Sequence, residues 1–202
     1  MTHWIWSEAR QALERQDPAL IPALSVVVCP PAWEDTTPLE HLVRSVCSQQ
    51  LSVAGAKTVE ARLAQACGGA ISAEALSALG PEELRAVGLS RAKAKSIAAI
   101  AECDRKGQLK REDLSTLSDE TVAARLIQLP GVGRWTAEMF LMFCLWRPDV
   151  LPAADLGLRY AIARLDGLLS EPVSPATALS RGEAWRPWRS AAVMALWAWR
   201  RT

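Results

Sequence analysis

Apolar residues recur at helical spacing along most of the chain, in short runs punctuated by proline and glycine. The first run spans Trp4 to Gln16, and Pro18 and Pro22 break it into a connector. Ala19 to Pro31 is ambiguous, because Val26-Val27-Val28 could form a buried strand. No partner strand is in sight, so it is read as loop or short helix. Thr36-Thr37-Pro38-Leu39-Glu40 predicts a helix start, with Thr37 as N-cap, Pro38 at the first position and Glu40 completing a capping box. That helix should run to about Gln50. Ser52 should cap the next, which ends at Gly68-Gly69.

The spacing predicts further short helices over 72–79 and from Pro81 to Gly88. A longer one covers Arg91 to Lys106, with Ile97, Ile100 and Ala101 inward and the lysines outward. Ser118 should cap a helix to Gln128, with Thr121 and Val122 opening its apolar face. Pro130 to Gly133 then reverses the chain into a helix over 134–146. Beyond Pro148 and Pro152 lie a helix from Leu156 to Leu165, a loop bearing Pro172 and Pro175, and a last helix from about Pro187 to Arg200. No repeat or long linker interrupts this pattern. The fold class read from it is all-α.

Composition agrees with that class. Half of the 202 residues are hydrophobic, but there are only one Tyr and two Phe, a bias toward helix over sheet. Net charge is +1, from 23 Lys and Arg against 22 Asp and Glu, so any surface for a polyanion must be local. The basic clusters available are Arg91, Lys93 and Lys95; Lys106, Lys110 and Arg111; and Arg181, Arg186, Arg189, Arg200 and Arg201. The five cysteines contain no C-x-x-C pair, which argues against zinc and iron–sulfur sites and suggests reduced, buried thiols. No leader-like N-terminus and no long apolar stretch occurs, so a soluble, cytoplasmic protein, nucleoid-associated if bacterial, is expected.

The candidate chemistry gathers around Leu129-Pro130-Gly131-Val132-Gly133. Two glycines in a tight turn leave backbone N–H groups bare at the start of the following helix, a place to seat a phosphate. Helix, Leu-Pro-Gly-x-Gly and helix again is the helix-hairpin-helix pattern that grips DNA backbones without reading sequence. Read blandly, it is a tight helix–helix connection. Gly88-Leu89-Ser90 before Arg91 is a weaker echo of the same unit. Asp155, in Leu-Pro-Ala-Ala-Asp, lies in a polar break between two apolar segments. Taken alone it reads more readily as a helix N-cap, and its position relative to the hairpin makes it also an acid that could act on an anchored substrate; one placement could serve both.

Gly-Val-Gly-Arg-Trp-Thr-Ala-Glu-Met-Phe, Leu-Pro-Ala-Ala-Asp, Ser-Gln-Gln-Leu-Ser and Trp-Arg-Pro-Trp-Arg-Ser together resemble the helix-hairpin-helix DNA glycosylases of the AlkA-like 3-methyladenine type. The likeness covers residues 34 to 200 or so and suggests the compact form, without an N-terminal β domain. It implies a single glycosylase domain over 1–202 with two helical lobes flanking a DNA-binding cleft. One lobe would span about 38–150, with the hairpin at 126–146; the other would combine 1–37 with 151–202.

The resemblance also implies the activity, hydrolysis of the N-glycosidic bond of an alkylated base flipped out of duplex DNA, leaving an abasic site. Asp155 falls on the catalytic aspartate. Trp135 falls where bifunctional relatives place a nucleophilic lysine, so no lyase activity is expected. Trp135, Met139 and Trp197 should line the base pocket, with only one of Trp197 and Trp199 touching the base. Met139 replaces an aromatic ring of some relatives and suggests a roomier pocket. Gln50 or Leu51 would fill the gap left by the flipped base.

Arg134, Thr136 and the amides of Gly131 and Gly133, around Val132, should hold one phosphate, and Gly88, Ser90, Arg91 and Lys93 another. The carbonyls of Ile127, Leu129 and Val132 could face a Na+ or K+ ion; no other cofactor is implied. The expected partner is double-stranded DNA with alkylated bases, bound by a monomer, with no membrane. Two competing readings stay open: a non-catalytic helix-hairpin-helix DNA-binding protein, and an adenine-mismatch or oxidised-base glycosylase of the same superfamily, which the absent lysine at position 135 disfavours.

Overall fold

Capping side chains set most of the helix starts. In a computed structural model describing residues 5–27, 36–168 and 171–202, α1 (Trp6–Gln16) and α2 (Ile21–Val26) flank a 3-10 turn at Pro18–Leu20. Val26 is therefore helical; Val28 and Trp4 lie outside the described residues. α3 (Pro38–Ser48) begins with the expected reciprocal box: Thr37 Oγ1 accepts from Glu40 N–H, and Glu40 accepts from Thr37 N–H at 2.9 Å. α4 (Val53–Ala66) is capped by Ser52, α5 (Ala73–Ala78) by Ser72 and α7 (Arg91–Arg105) by Ser90, with α6 (Pro81–Ala86) opening on proline between them. α8 (Arg111–Ser115) is a short helix that spacing alone did not reveal. α9 (Asp119–Leu126) is capped by Ser118. Its buried face starts at Val122, and Thr121 is exposed.

α10 (Arg134–Phe143) stops three residues earlier than its apolar pattern suggested. α11 (Leu156–Leu165) is capped by Asp155. The stretch read as a proline-bearing loop contains α12 (Pro175–Gly182). Ser174 Oγ accepts the Thr177 amide at 3.0 Å and Pro175 occupies the first turn. There proline opens a helix, because its missing N–H has no partner at that position anyway. α13 (Arg189–Trp199) starts beyond Pro187, after a 3-10 turn at Glu183–Trp185. No strand occurs among the described residues, and the all-helical expectation holds.

The chain forms two compact units, Asp35–Leu145 and a second assembled from Met1–Glu34 with Trp146–Thr202. In the discontinuous unit α13 is the centre, packed against α1, α2 and α11. Every residue from Ser190 to Leu196 is buried, the signature of a helix enclosed on all sides. Asp17, itself buried, accepts the Trp185 indole N–H at 2.7 Å and pairs with Arg181 at 2.6 Å. In the continuous unit α3 and α7 form the spine, with α4, α5 and α6 against them and α9 and α10 closing the far side.

Four described cysteines are free. Cys47 and Cys144 are buried as expected, whereas Cys67 and Cys103 are partly exposed; Cys29 lies outside the described residues. Burial pushes the Cys47 thiol up to about 11 and the Cys144 thiol to about 12, so neither is a nucleophile near neutrality.

Candidate active site and nucleic-acid interface

Asp155 ends a strap, residues 147–154, that is stapled to α12 and α13. Ser190 Oγ donates to Arg147 C=O at 2.7 Å and accepts from Val150 N–H at 3.1 Å. Arg189 holds the Asp149 carboxylate at 2.6 Å. The Leu151 side chain fills the space over Gly182, where a Cβ would lie 2.4 Å from it. A turn then places Asp155 at the N-cap of α11, with its own N–H on Pro152 C=O at 2.8 Å. The same Oδ1 accepts Leu158 N–H at 2.7 Å and the Trp197 indole N–H at 2.9 Å.

The N-cap reading of Asp155 holds, and the capping oxygen also meets the Trp197 indole. Gly157 makes room for it: a Cβ there would stand 3.1 Å from Asp155 Oδ1 and 3.8 Å from Trp197. Trp199 instead lies under the Arg164 guanidinium, 4.0 Å from its ring centre. Of the two tryptophans, only Trp197 donates to Asp155. Leu156 and Tyr160 on the adjoining face of α11 are exposed.

In the other unit, the hairpin between α9 and α10 closes through Val132 N–H on Leu129 C=O at 3.1 Å. Gly131 sits at φ 76°, a left-handed conformation that glycine adopts without strain. A Cβ at Gly131 would also collide with Ser96 Oγ at 2.4 Å, so α7 packs directly on the turn. Gly133 is the N-cap of α10, exposed, with no side chain over the first amides. Val132 is buried and anchors the turn. Trp135 is 49% exposed, and Met139, one turn further on, is buried.

Three side chains expected at phosphates are engaged elsewhere. Thr136 is buried, so only its backbone faces the open end of α10. Arg134 forks onto Glu120 at 2.9 Å and Glu138 at 3.0 Å. These contacts raise its pKa and lower that of Glu120 through hydrogen bonds between the two groups. Lys93, expected outward, turns in, and its ammonium donates to Cys47 C=O at 2.9 Å and Gln49 C=O at 2.6 Å.

Gly88 adopts φ 104° before the Ser90 cap, and Ser90, Arg91 and Lys95 are exposed. Much of the remaining basic surface is also paired internally. Arg181 meets Asp17 and Asp166, Arg186 and Arg189 meet Asp149, and Arg111 donates to the Thr36 and Cys144 carbonyls.

Gln50 sits at φ 56° in the turn between α3 and α4, and both it and Leu51 are exposed. Sequence reasoning missed the neighbour that matters most to this turn: Gln49 Nε2 donates to Gly131 C=O at 2.9 Å. Both residues belong to motifs visible in the sequence, but a contact between positions 82 apart leaves no local signal.

A family model described as HhH-GPD superfamily base excision DNA repair protein matches residues 43–189, which include the hairpin and Asp155. The chain belongs to that superfamily. This HhH-GPD chain is 36% identical over 169 residues to "DNA-3-methyladenine glycosylase 1" of Schizosaccharomyces pombe, covering 82% of this chain and 74% of that protein. It is 30% identical over 163 residues to "Putative DNA-3-methyladenine glycosylase YfjP" of Bacillus subtilis and spans 56% of that protein's length. A solved S. pombe 3-methyladenine DNA glycosylase in complex with abasic DNA superposes at a TM-score of 0.83, with 33% identity, covering 94% of this chain and 95% of that one.

The Glu120–Arg134 pair gives a test of the hairpin face. Both groups are largely exposed, so the pair contributes little to stability. Glu120→Gln should therefore leave folding intact while releasing Arg134 toward phosphate. Duplex DNA affinity in low salt is expected to rise about threefold, and the log–log salt slope to steepen by about one unit. Unchanged affinity and slope in a fluorescence-anisotropy titration would remove Arg134 from the interface.

Proposed function

We propose that this HhH-GPD protein is a monofunctional DNA N-glycosylase that removes alkylated bases of the 3-methyladenine type from duplex DNA and leaves an abasic site. The observation that carries the reading is the Asp155 carboxylate, held at one oxygen by Leu158 N–H and the Trp197 indole. The names of its relatives point the same way. Hydrolysis proceeds by departure of the base with the C1′–N electron pair, so positive charge develops on the sugar. A carboxylate fixed beside C1′ stabilises that charge most in the transition state. Water then adds to C1′ and gives up its proton to the carboxylate. A base that is already cationic leaves as a neutral molecule, which lowers the demand on the protein.

Trp135 stands where a lyase would need an amine, so no Schiff base forms and the strand stays intact. Trp135, Met139 and Trp197 are the side chains we assign to the flipped base. Cationic purines gain from stacking on an indole face. The amides of Gly131, Gly133 and the first turn of α10 hold a phosphate by backbone alone, which suits binding that is indifferent to sequence. Gln50 or Leu51 is the wedge, and the protein acts as a monomer.

The reading calls for no redox cofactor and no catalytic metal. The Ile127, Leu129 and Val132 carbonyls fit a Na+ or K+ ion at the hairpin. They are neutral oxygen donors, and Leu129 C=O keeps a lone pair beside the one taken by Val132 N–H. Such an ion would supply positive charge next to a bound phosphate.

Incubation with methylated duplex DNA should release free methylated purine and leave alkali-labile abasic sites, with no strand break before alkali. Tight binding of that DNA with no base release would favour the non-catalytic DNA-binding reading. A borohydride-trapped covalent adduct would favour a lyase.

A further inference from the structure

Lys93 and Gln49 form a continuous tie across three elements, part-buried at Lys93 and at the surface at Gln49. The Lys93 ammonium crosses from the first turn of α7 to the end of α3, where it binds the Cys47 and Gln49 carbonyls. Carbonyls at a helix C-terminus lack intrahelical donors and carry the negative end of the helix dipole, so a lysine there is well placed. Gln49 extends the tie by donating to Gly131 C=O in the hairpin. One turn beyond Lys93, α7 meets the same glycine through Ser96, whose buried hydroxyl is fixed on Ala92 C=O at 3.0 Å. One helix thus braces both the Gln49–Leu51 turn and the hairpin.

The braced turn is under strain. Gln50 is held at φ 56°, a left-handed region that non-glycine residues seldom occupy and that costs backbone strain. Such a conformation persists where its surroundings over-determine it. Here the surroundings are Leu51 N–H on Ser48 C=O at 3.2 Å, Lys93 on the carbonyl of Gln49, and Gln49 on the hairpin.

We infer that Gln49 and Lys93 are positioning residues that fix the Gln50–Leu51 wedge in register with the phosphate-holding hairpin, Lys93 acting through protein carbonyls and not through a DNA phosphate. The inference rests on the glycosylase reading above, because a wedge matters only where a base is flipped. Extruding a paired base costs its pairing and stacking, and a wedge fixed in register before DNA arrives offsets part of that cost when it fills the gap.

The test uses Gln49→Met and Lys93→Met in the full chain, compared with wild type in two assays. One is single-turnover release of a methylated purine, from a fully paired duplex and from a duplex where that base is mispaired and so partly extruded. The other is the salt dependence of binding to abasic-site DNA. Both variants should excise about tenfold more slowly from the paired duplex and recover to within about threefold of wild type on the mispaired one, with an unchanged salt slope.

A drop of about 0.9 in the slope for Lys93→Met, with equal losses on both duplexes, would make Lys93 a phosphate ligand and overturn the inference. Rates equal to wild type in both variants would overturn it too. Gln49 lies in a surface turn, so Gln49→Met leaves the core alone and keeps the tie testable if Lys93→Met folds poorly. If wild type itself releases no base, the glycosylase reading fails. An active wild type with unaffected variants counts against the tie alone.

Discussion

Asp155→Asn is expected to bind duplex DNA containing a methylated purine about as well as the wild-type chain and to release base at least about 10³-fold more slowly. That loss equals about 4 kcal/mol of transition-state stabilisation, the upper end of what one well-placed electrostatic group contributes. Asparagine isolates the charge from the other task of this side chain. It caps helices about as well as aspartate, so the Oδ1 contacts with Leu158 N–H and the Trp197 indole can survive. Only the negative charge goes. Asp155→Ala removes the cap as well and should cost about 1 kcal/mol of stability on top.

Thermal unfolding and single-turnover excision measured on both variants separate the two functions. More than a tenth of wild-type activity in Asp155→Asn would sink the proposed role of the carboxylate. A parallel loss of stability and activity in both variants would reduce Asp155 to a helix cap.

The sequence made the local half of this architecture readable and left the long-range half hidden. Thr37, Ser52, Ser72, Ser90, Ser118 and Asp155 all cap the helices they precede, because capping is decided within four residues. Proline was the ambiguous signal. Pro175 opens a helix that its presence seemed to forbid, since proline is disruptive inside a helix and benign in its first turn.

The hairpin and Asp155 were legible for the same reason of locality, each being a motif contiguous in the chain. What escaped was the direction of long side chains. Lys93 and Arg134 read as surface cations, and charge alone does not say whether a lysine meets a phosphate or a helix C-terminus. The deciding partners, Cys47 C=O for one and Glu120 for the other, lie 46 and 14 residues away. The near-zero net charge is consistent with this in aggregate, because 23 cations against 22 anions leave many arginines a partner within the protein.

His41 carries the largest expected effect of pH on folding. It sits on α3 with its ring edge-on to Phe140 of α10, centroids 5.6 Å apart, and its buried Nε2 has no hydrogen-bond partner among the described residues. Burial, then the positive charges of Arg111 and Arg44, hold its pKa down at about 4, against 6.5 in an unstructured chain. The unfolded state therefore binds a proton that the folded state refuses between those two values. Stability is at its full value above pH 6.5, declines as pH falls toward 4, and levels off below, with a total difference on the order of 3 kcal/mol.

Urea unfolding at pH 7.5 and pH 4.5 should show that decline in the wild-type chain and only a small residue of it in His41→Gln, which has no proton to gain. An equal decline in both proteins would assign the acid sensitivity to carboxylates and not to His41. α3 and α10 carry the Gln49–Leu51 turn and Trp135 at their ends, so protonating His41 between them should loosen the mount of both. Excision by His41→Gln should accordingly fall less than wild-type excision as the pH is lowered toward 4.5.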